Sequence, residues 1–253
     1  MSGSAPLSAR GLTVSFGRTE ALRGVDLDVE AGEVLAVMGP SGSGKSTLLH
    51  ALAGVIVPDS GTVSLGDTVI SDLPEPARAQ LRLREFGFVF QFGQLLPDLT
   101  ALDNVTLPLL LTGHSRRRAR RQAASWLERL GVADTRDQVP SEVSGGQAQR
   151  IAIARALVTG PRVVFADEPT GSLDLLAAES VMTTLTDLAR DTGATIVVVT
   201  HDPRTAAHAD REVVVRDGRI GGRTGGEARG EAGRPAGDDA DRAPRRPVVR
   251  TRA

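Results

Sequence analysis

Apolar and polar positions alternate near the N-terminus and then give way to short apolar runs. The alternation through Leu12, Val14 and Phe16, repeated over 25–29, predicts strands with one buried face. The run Val34–Met38 is continuously apolar, which is typical of a strand buried on both faces. Further short strands are predicted at 62–65 and Phe86–Phe90.

From about residue 100 to residue 157 the pattern becomes helical, and the strand pattern then returns. Helices are predicted over 116–130, 147–157 and 175–190, and strands over 163–166, 195–200 and 213–215, the last one in the chain. Strands that alternate with helices indicate an α/β fold with a mainly parallel sheet. The helical segment is then an insertion in the middle of that fold.

Residues 223–253 differ in composition from the rest of the 253-residue chain. They contain no aromatic residue and are rich in Gly, Ala, Pro, Arg and Asp. This tail is therefore predicted to be disordered, after an ordered domain over 1–222. It carries eight arginines and five acidic residues. The simpler interpretation is a solvated appendage, and the alternative is a basic tail that contacts lipid headgroups or RNA.

The overall composition excludes several classes of protein. A net charge of −1 creates no general attraction to nucleic acid or to an anionic membrane, so no nucleic-acid partner is expected. The absence of cysteine excludes a disulfide scaffold, a cysteine–zinc site and an iron–sulfur cluster. No apolar stretch reaches the roughly 18 residues of a membrane span. The N-terminus has no secretion signal, so a cytoplasmic protein is expected.

A glycine-rich segment joins the strand Val34–Met38 to a helical pattern, which is the context of a phosphate-binding loop. Its residues are Gly39, Pro40, Ser41, Gly42, Ser43, Gly44, Lys45, Ser46 and Thr47. The glycines let several backbone N–H groups point into one concavity, and the next helix adds its positive N-terminal end. Lys45 is the single lysine of the sequence. In this pattern Lys45 contacts the β- and γ-phosphates, and the Ser46 hydroxyl binds Mg²⁺.

Two carboxylates follow the apolar strand predicted at 163–166. Asp167 is expected to hold Mg²⁺ with Ser46, and Glu168 is expected to polarise the attacking water. Adjacent acidic residues also occur in solvated turns, but the upstream phosphate loop favours the catalytic interpretation. Together these motifs indicate a P-loop nucleotidase and do not separate a kinase, a GTPase and a motor.

A second predicted helix begins with an anion-binding sequence, about a hundred residues after the first. It consists of Ser144, Gly145, Gly146 and Gln147. If the two helix ends lie in separate subdomains, they cannot both reach one γ-phosphate within a single chain. A head-to-tail dimer solves this problem, because each nucleotide then lies between Lys45 of one chain and Ser144 of the other.

With these motifs in this order, the chain resembles the ATP-binding subunit of an ABC transporter from about residue 7 to residue 220. The resemblance implies a P-loop NTPase core with a mainly parallel sheet, an N-terminal antiparallel β subdomain, and an inserted α-helical subdomain over about 95–157. It also implies an ATPase that binds ATP and Mg²⁺, forms a homodimer and drives a transmembrane permease. Such a subunit is peripheral, on the inner face of the cell membrane.

The resemblance assigns further residues. Gln91 corresponds to the family's lid glutamine, which takes part in catalysis and binds the metal. His201 corresponds to the switch histidine, which also takes part in catalysis. Asp174 belongs to the loop that crosses the dimer, and Val143 replaces the leucine usual before the signature serine. Phe16 corresponds to the aromatic residue that stacks on adenine. It also continues the Leu12–Val14 alternation, so a place in the core is its alternative interpretation.

A narrower resemblance points to lipoprotein-releasing, macrolide- and peptide-exporting and cell-division ATPases. It is carried by the segments 90–105 and 168–174, in which Asp103 and Ser172 replace the usual Glu and Asn. The apolar stretch 92–96 either lines a groove for a cytoplasmic helix of the permease or packs under the helical subdomain. A force-transmitting ATPase that moves no solute is an open alternative. A soluble ATPase acting on DNA or ribosomes is disfavoured, because the chain has one ATPase unit, no coiled coil and no zinc cysteines.

Overall fold

The structure is a computed structural model, and it describes residues 6–91 and 93–224. The strands in this part of the chain are β1 (Leu7–Phe16), β2 (Thr19–Val29), β3 (Val34–Met38), β4 (Ser60–Leu65), β5 (Thr68–Val69), β6 (Phe86–Phe90), β7 (Val163–Asp167), β8 (Thr195–Val199), β9 (Arg211–Arg216) and β10 (Arg219–Thr224). The helices are α1 (Lys45–Leu52), α2 (Glu75–Glu85), α3 (Ala101–Leu111), α4 (Arg116–Arg129), α5 (Gly145–Leu157), α6 (Leu175–Thr192) and α7 (Pro203–Ala206).

The strands form two sheets, as the sequence predicted. A six-stranded sheet has the order β10-β9-β3-β8-β7-β6 and is parallel except for the pairing of β9 with β10. A second sheet, β2-β1-β4-β5, is antiparallel throughout. Helices α3, α4 and α5 form the insertion between β6 and β7. The predicted α/β fold, with an antiparallel β subdomain and an inserted helical subdomain, is confirmed.

The six-stranded sheet lies between two apolar layers, which explains why its inner strands β3, β7 and β8 are almost continuously apolar. On β8, Val197 and Val199 pack with the antiparallel sheet and α1, whereas Ile196 and Val198 pack with the helices of the insertion and α6. Successive side chains of a strand point to opposite faces, so a strand covered on both faces has no polar side. In open α/β sheets ligands bind at the carboxyl ends of the strands.

Several elements, α7 among them, differ from the sequence-based expectation. The prediction that 213–215 is the last strand is wrong, because β9 turns at Asp217 and Gly218 and β10 pairs back on it. β10 runs to Thr224, two residues into the predicted tail, and the rest of the tail lies outside the described residues. Helix α2 and strand β5 were not predicted, since α2 has no buried residue and therefore no clear apolar stripe.

Among the helices of the described residues, none combines the length and apolar character that crossing a membrane requires.

Candidate active site

The loop between β3 and α1 has a backbone path that requires glycine at two positions. Gly39 has φ of +146°, and a Cβ there would lie 2.2 Å from the carbonyl oxygen of Val215 on β9. Gly44 has φ of +105°, and its Cβ would lie 2.5 Å from the carbonyl oxygen of Ala21. Both distances are far below van der Waals contact, so any side chain would displace the loop. The two glycines therefore fix the path of the loop from β3 into α1.

Lys45 is the first residue of α1, and it is 8% exposed. Its Nζ donates hydrogen bonds to the carbonyl oxygens of Gly39 and Pro40, both at 2.9 Å. The ammonium group is thus held at the mouth of the loop by the loop's own backbone. A compact donor of this kind is already oriented for phosphate oxygens.

The parallel register aligns the ends of three neighbouring strands. Phe90 on β6 pairs with Asp167 on β7, which pairs with Val199 on β8. The residues that follow these strands therefore meet at one edge of the sheet, where open α/β sheets bind ligands. Asp167 faces the phosphate loop, with its Oδ1 3.3 Å from the Ser46 Oγ. Burial raises the pKa of the Asp167 carboxyl above its ordinary value, against the opposing effect of the Ser46 hydroxyl.

Glu168 is held by both its backbone and its side chain. Its φ is +48°, a left-handed conformation that is uncommon for a residue other than glycine, and its N–H donates to the Val199 carbonyl at 2.9 Å. Its Oε1 lies 2.7 Å from His201 Nδ1, and its Oε2 accepts a hydrogen bond from Thr200 Oγ1 at 3.3 Å. Strained backbone of this kind clusters at functional sites. The carboxylate is therefore positioned before any substrate arrives.

A cavity of about 470 Å³ extends from the phosphate loop to the β1–β2 hairpin and the β9–β10 turn. It is lined at one end by the loop and Glu168, and at the other by Thr19, Glu20, Ala21, Arg23, Asp217 and Gly218. The β9–β10 turn braces the loop, because the Gly218 N–H donates to the Ser43 carbonyl at 3.0 Å. The cavity has a volume within the range of small-molecule sites, and its phosphate-loop end offers the polar groups that a triphosphate requires.

Ser144 stands apart from this cavity and caps α5. The Gln147 N–H donates to Ser144 Oγ at 3.3 Å, and the Ser144 N–H donates to Gln147 Oε1 at 2.9 Å. Asp174 caps α6 in the same way, accepting from the Ala177 N–H at 2.9 Å. The two capped ends are neighbours, since a Cβ on Gly146 would lie 3.6 Å from Ala177 Cβ. Among the described residues, none of the 144–147 motif lines the cavity.

Gln91 directly follows β6, at the same sheet edge as Asp167. Its backbone carbonyl accepts a hydrogen bond from Ser172 Oγ at 2.8 Å, and its side chain lies against Gly171. Ser172, which replaces the usual Asn, thus links the Gln91 loop to the loop before α6. In the stretch 92–96, Leu95 packs on the core, Leu96 is 43% exposed, and residue 92 lies outside the described residues.

Sequence reasoning missed Thr200 and the β9–β10 turn. Thr200 is fully buried, and besides donating to Glu168 it accepts a hydrogen bond from the Asp202 N–H at 3.1 Å. A polar residue at the end of an apolar strand was the available signal for it. For the turn, the signal was the Asp-Gly dipeptide at Asp217 and Gly218, which is typical of tight hairpins.

Phe16 is 55% exposed at the end of β1, although the alternation with Val14 suggests burial. The β1–β2 register shifts between Val14 and Ser15, and this irregularity turns Phe16 outward. Phe16 pairs with Thr19, which lines the cavity. The exposed ring of Phe16 thus lies beside the end of the cavity that is lined by Thr19, away from the phosphate loop.

We expect Phe16→Ala to weaken ATP binding by about 5- to 150-fold, the equivalent of roughly 1–3 kcal/mol of base stacking. Stability should change little, since the ring is exposed. Phe16→Trp should retain affinity, and Val14→Ala, which truncates a buried neighbour on the same strand, should lower stability without changing affinity. Fluorescent-nucleotide titration and urea unfolding of the three variants test this. Unchanged affinity in Phe16→Ala would contradict stacking.

We expect Asp167→Asn to stabilise the nucleotide-free protein against heat at neutral pH. Folding raises the pKa of this carboxyl, so the folded protein holds the proton at pH values where the unfolded protein has lost it. The free energy of unfolding of the wild type therefore falls as the pH rises past the ordinary Asp pKa. The variant's advantage should be complete above the raised pKa and should vanish toward about pH 4. Melting temperatures from pH 4 to 8 test this, and an advantage independent of pH would contradict it.

Comparison with known proteins finds relatives along most of the chain. Residues 22–171 match the family model described as ABC transporter. The lipoprotein-releasing system ATP-binding protein LolD of Bordetella pertussis is 49% identical over 203 residues, which cover 80% of this chain and 88% of that protein. LolD of Bacteroides thetaiotaomicron is 43% identical over 214 residues, covering 85% and 98%.

A solved structure supports the same assignment. It is a dimeric, post-hydrolysis state of the ATP-binding cassette MJ0796 bound to ADP and Pi. It superposes with a TM-score of 0.78 at 36% identity, over 85% of this chain and 96% of the other. The chain belongs to the ABC transporter family, in which it is an ATP-binding and ATP-hydrolysing subunit of a membrane complex.

Proposed function

We propose that this chain hydrolyses Mg²⁺-ATP between two copies arranged head to tail and so drives a permease. The observation that carries this proposal is that the two phosphate-binding parts of the site lie apart within one chain. The phosphate loop and Glu168 share one cavity, whereas the capped N-terminus at Ser144 is absent from the described lining of that cavity. A second copy supplies this missing end. The related cassette MJ0796 forms a dimer, which supports the association of two copies.

The residues beside the phosphate loop fit Mg²⁺. The Ser46 hydroxyl and the Asp167 carboxylate face each other at 3.3 Å, and the Gln91 amide follows the neighbouring strand. Magnesium prefers such oxygen ligands, and it usually takes only one or two carboxylates together with water and substrate phosphates. This agrees with the described residues, in which no group of three or more Asp, Glu and His side chains forms a metal cage. When bound, Mg²⁺ neutralises charge on the β- and γ-phosphates.

The chain's own groups account for the remaining steps. Lys45 and the loop N–H groups bind the triphosphate, and Phe16 holds the adenine. Glu168 accepts a proton from the attacking water, and the hydrogen bonds of its carboxylate with His201 and Thr200 orient it for that transfer. In the partner copy, Ser144, Gly145, Gly146 and Gln147 bind the γ-phosphate, and Asp174 lies at the crossing between copies.

The permease holds this subunit at the inner face of the membrane. The names of the relatives favour a permease of a lipoprotein-releasing system. The test is ATP hydrolysis by the chain alone and by its complex with a permease encoded in a neighbouring reading frame. We expect the permease in lipid nanodiscs to bind the chain and change its rate of hydrolysis. Failure of any such permease to bind or to change the rate would contradict the coupling.

A further inference from the structure

A groove of about 620 Å³ is formed by the end of β2, the turn to β3 and the start of β9, and it shares none of its described lining with the ATP cavity. Its apolar part consists of Leu27, Val213 and Ile220, the last of which belongs to β10. Strands β2 and β10 are the last strands of their sheets. Edge strands of this kind are open to a segment from elsewhere. The groove is therefore a candidate binding surface that the ATP site leaves unused.

The groove is acidic. Its described lining contains one basic side chain, Arg211, and five carboxylates, which are Asp26, Asp28, Glu30, Glu33 and Asp210. Two arginines outside the lining pair with members of this set. Arg10 lies 2.5 Å from Asp28, and Arg190 lies 3.5 Å from Asp210. Five carboxylates and three arginines leave the groove with two negative charges in excess.

Asp26 and Glu30 carry this excess. Both are exposed, and among the described residues the ion pairs of the groove involve only its other three carboxylates. Asp26 accepts a hydrogen bond from the Gly11 N–H at 2.7 Å through one oxygen, which leaves the other oxygen to a second donor. The two carboxylates are therefore available to a cationic group.

The groove already binds one guanidinium of this chain. Arg211 Nε lies 2.6 Å from Glu33 Oε1, and Arg211 Nη2 donates to the Asp28 carbonyl oxygen at 2.5 Å. The hydrogen bond to Glu33, with the nearby charges of Asp28 and Glu30, holds the pKa of Arg211 above its ordinary value. Both the charge of the groove and its oxygen atoms thus favour guanidinium groups, whose planar donors suit carboxylates.

A matching cationic segment follows β10 in the same chain. Residues 242–253 contain five arginines and no acidic residue, whereas the five acidic residues of 223–253 all precede position 242. Val248 and Val249 lie between Arg246 and Arg250, so the segment combines apolar side chains with positive charge. Its chemistry is therefore complementary to that of the groove.

The connection to this segment is long enough. Strand β10 includes Ile220 of the groove and ends at Thr224. Residues 225–241 then precede the segment, and a flexible chain of this length spans about 20–25 Å. A short connection of this kind gives a local concentration of about 1 mM. Weak ion pairs therefore suffice for binding within one chain.

We propose that the groove binds the arginine-rich segment 242–252 of the same chain, with guanidinium groups on Asp26 and Glu30 and valines on the apolar part. Bound in this way, the segment connects β2 to β10, whose turn with β9 lines the ATP cavity. The arginines of the tail are then occupied by the chain's own carboxylates and not by lipid headgroups or RNA. This inference is independent of the proposed coupling to a permease.

Trypsin digestion of the full chain measures the binding, because an arginine held in the groove cannot enter the protease. Mass spectrometry follows cleavage after Arg245 and Arg250 and, as an internal reference outside the segment, after Arg229. Each rate is divided by the rate at the same site in a synthetic peptide of residues 225–253. At low salt we expect Arg245 and Arg250 to be protected about tenfold relative to Arg229, as for a Kd near 0.1 mM at that local concentration. Salt at 1 M should abolish this protection.

Neutralising the groove tests the assignment. Asp26→Asn with Glu30→Gln should lower the protection by at least about twofold, as for two exposed ion pairs, while the Asn oxygen still accepts from Gly11. The matched control, Asp67→Asn with Asp72→Asn, removes two exposed carboxylates outside the groove and should match wild type. Melting temperatures identify a groove variant that fails to fold, and Glu30→Gln alone then carries the comparison.

Three results would overturn the proposal. One is protection that is equal in wild type and in the folded groove variant. Another is protection that rises with chain concentration, since the segment would then bind a second copy. The third is protection that appears only with phosphatidylglycerol vesicles or RNA and does not change in the groove variant, since the tail would then bind those partners.

Discussion

Glu168→Gln is expected to lower the ATPase rate by about 10²- to 10⁴-fold, the usual contribution of a general base. The amide keeps the size of the carboxylate and can still accept the Thr200 hydrogen bond, but it cannot take a proton from water. Nucleotide binding should remain, because Lys45 and the phosphate loop are unchanged. With ATP bound but not cleaved, the head-to-tail dimer should accumulate.

Phosphate release and size-exclusion chromatography with and without Mg²⁺-ATP measure the two effects. Glu179→Gln is a matched control, since Glu179 also pairs with a histidine, His208, at 3.3 Å, outside the ATP cavity. The control should behave as wild type. An elution volume that does not respond to ATP, or a rate near that of wild type, would show that Glu168 is not the base.

Lys45→Arg is expected to be nearly as damaging as Lys45→Ala, with the rate lowered by about 10²- to 10³-fold, as when one oriented donor to a transition state is lost. The Lys45 Nζ occupies a buried place 2.9 Å from two loop carbonyls, Gly39 and Pro40. A planar guanidinium is broader than an ammonium group and would collide with the loop backbone. Retention of the positive charge should therefore not rescue activity.

Steady-state hydrolysis and nucleotide titration of both Lys45 variants test this prediction. The sequence offers an internal comparison, because every other basic position in it except histidine is arginine. If arginine were acceptable at position 45, the variant would turn over ATP at nearly the wild-type rate. That result would also remove the reason for treating the single lysine as functional.

Much of the fold could be predicted from local patterns. The continuous apolar run of β3 and the glycine-rich segment after it predict a buried strand, a loop and a helix, because burial on both faces removes every polar position. Gly39 and Gly44 must be glycine, because a Cβ at either position would collide with the carbonyl oxygen of Val215 or of Ala21. The spacing of the phosphate-loop motif alone marks both positions. β10 and α2 escaped prediction, since neither shows a strong apolar period.

The candidate site, like the fold, was predictable from the sequence only in part. By itself the sequence predicted which residues carry the chemistry, including Lys45, Ser46, Asp167 and Glu168, because residues of these types follow one strand end and begin one helix. Only the tertiary structure decided which of these side chains lie close together, because strand register and bulges depend on pairing between distant segments. Thus the shift after Val14 exposes Phe16, and the alignment of β7 with β8 brings Thr200 and His201 to Glu168.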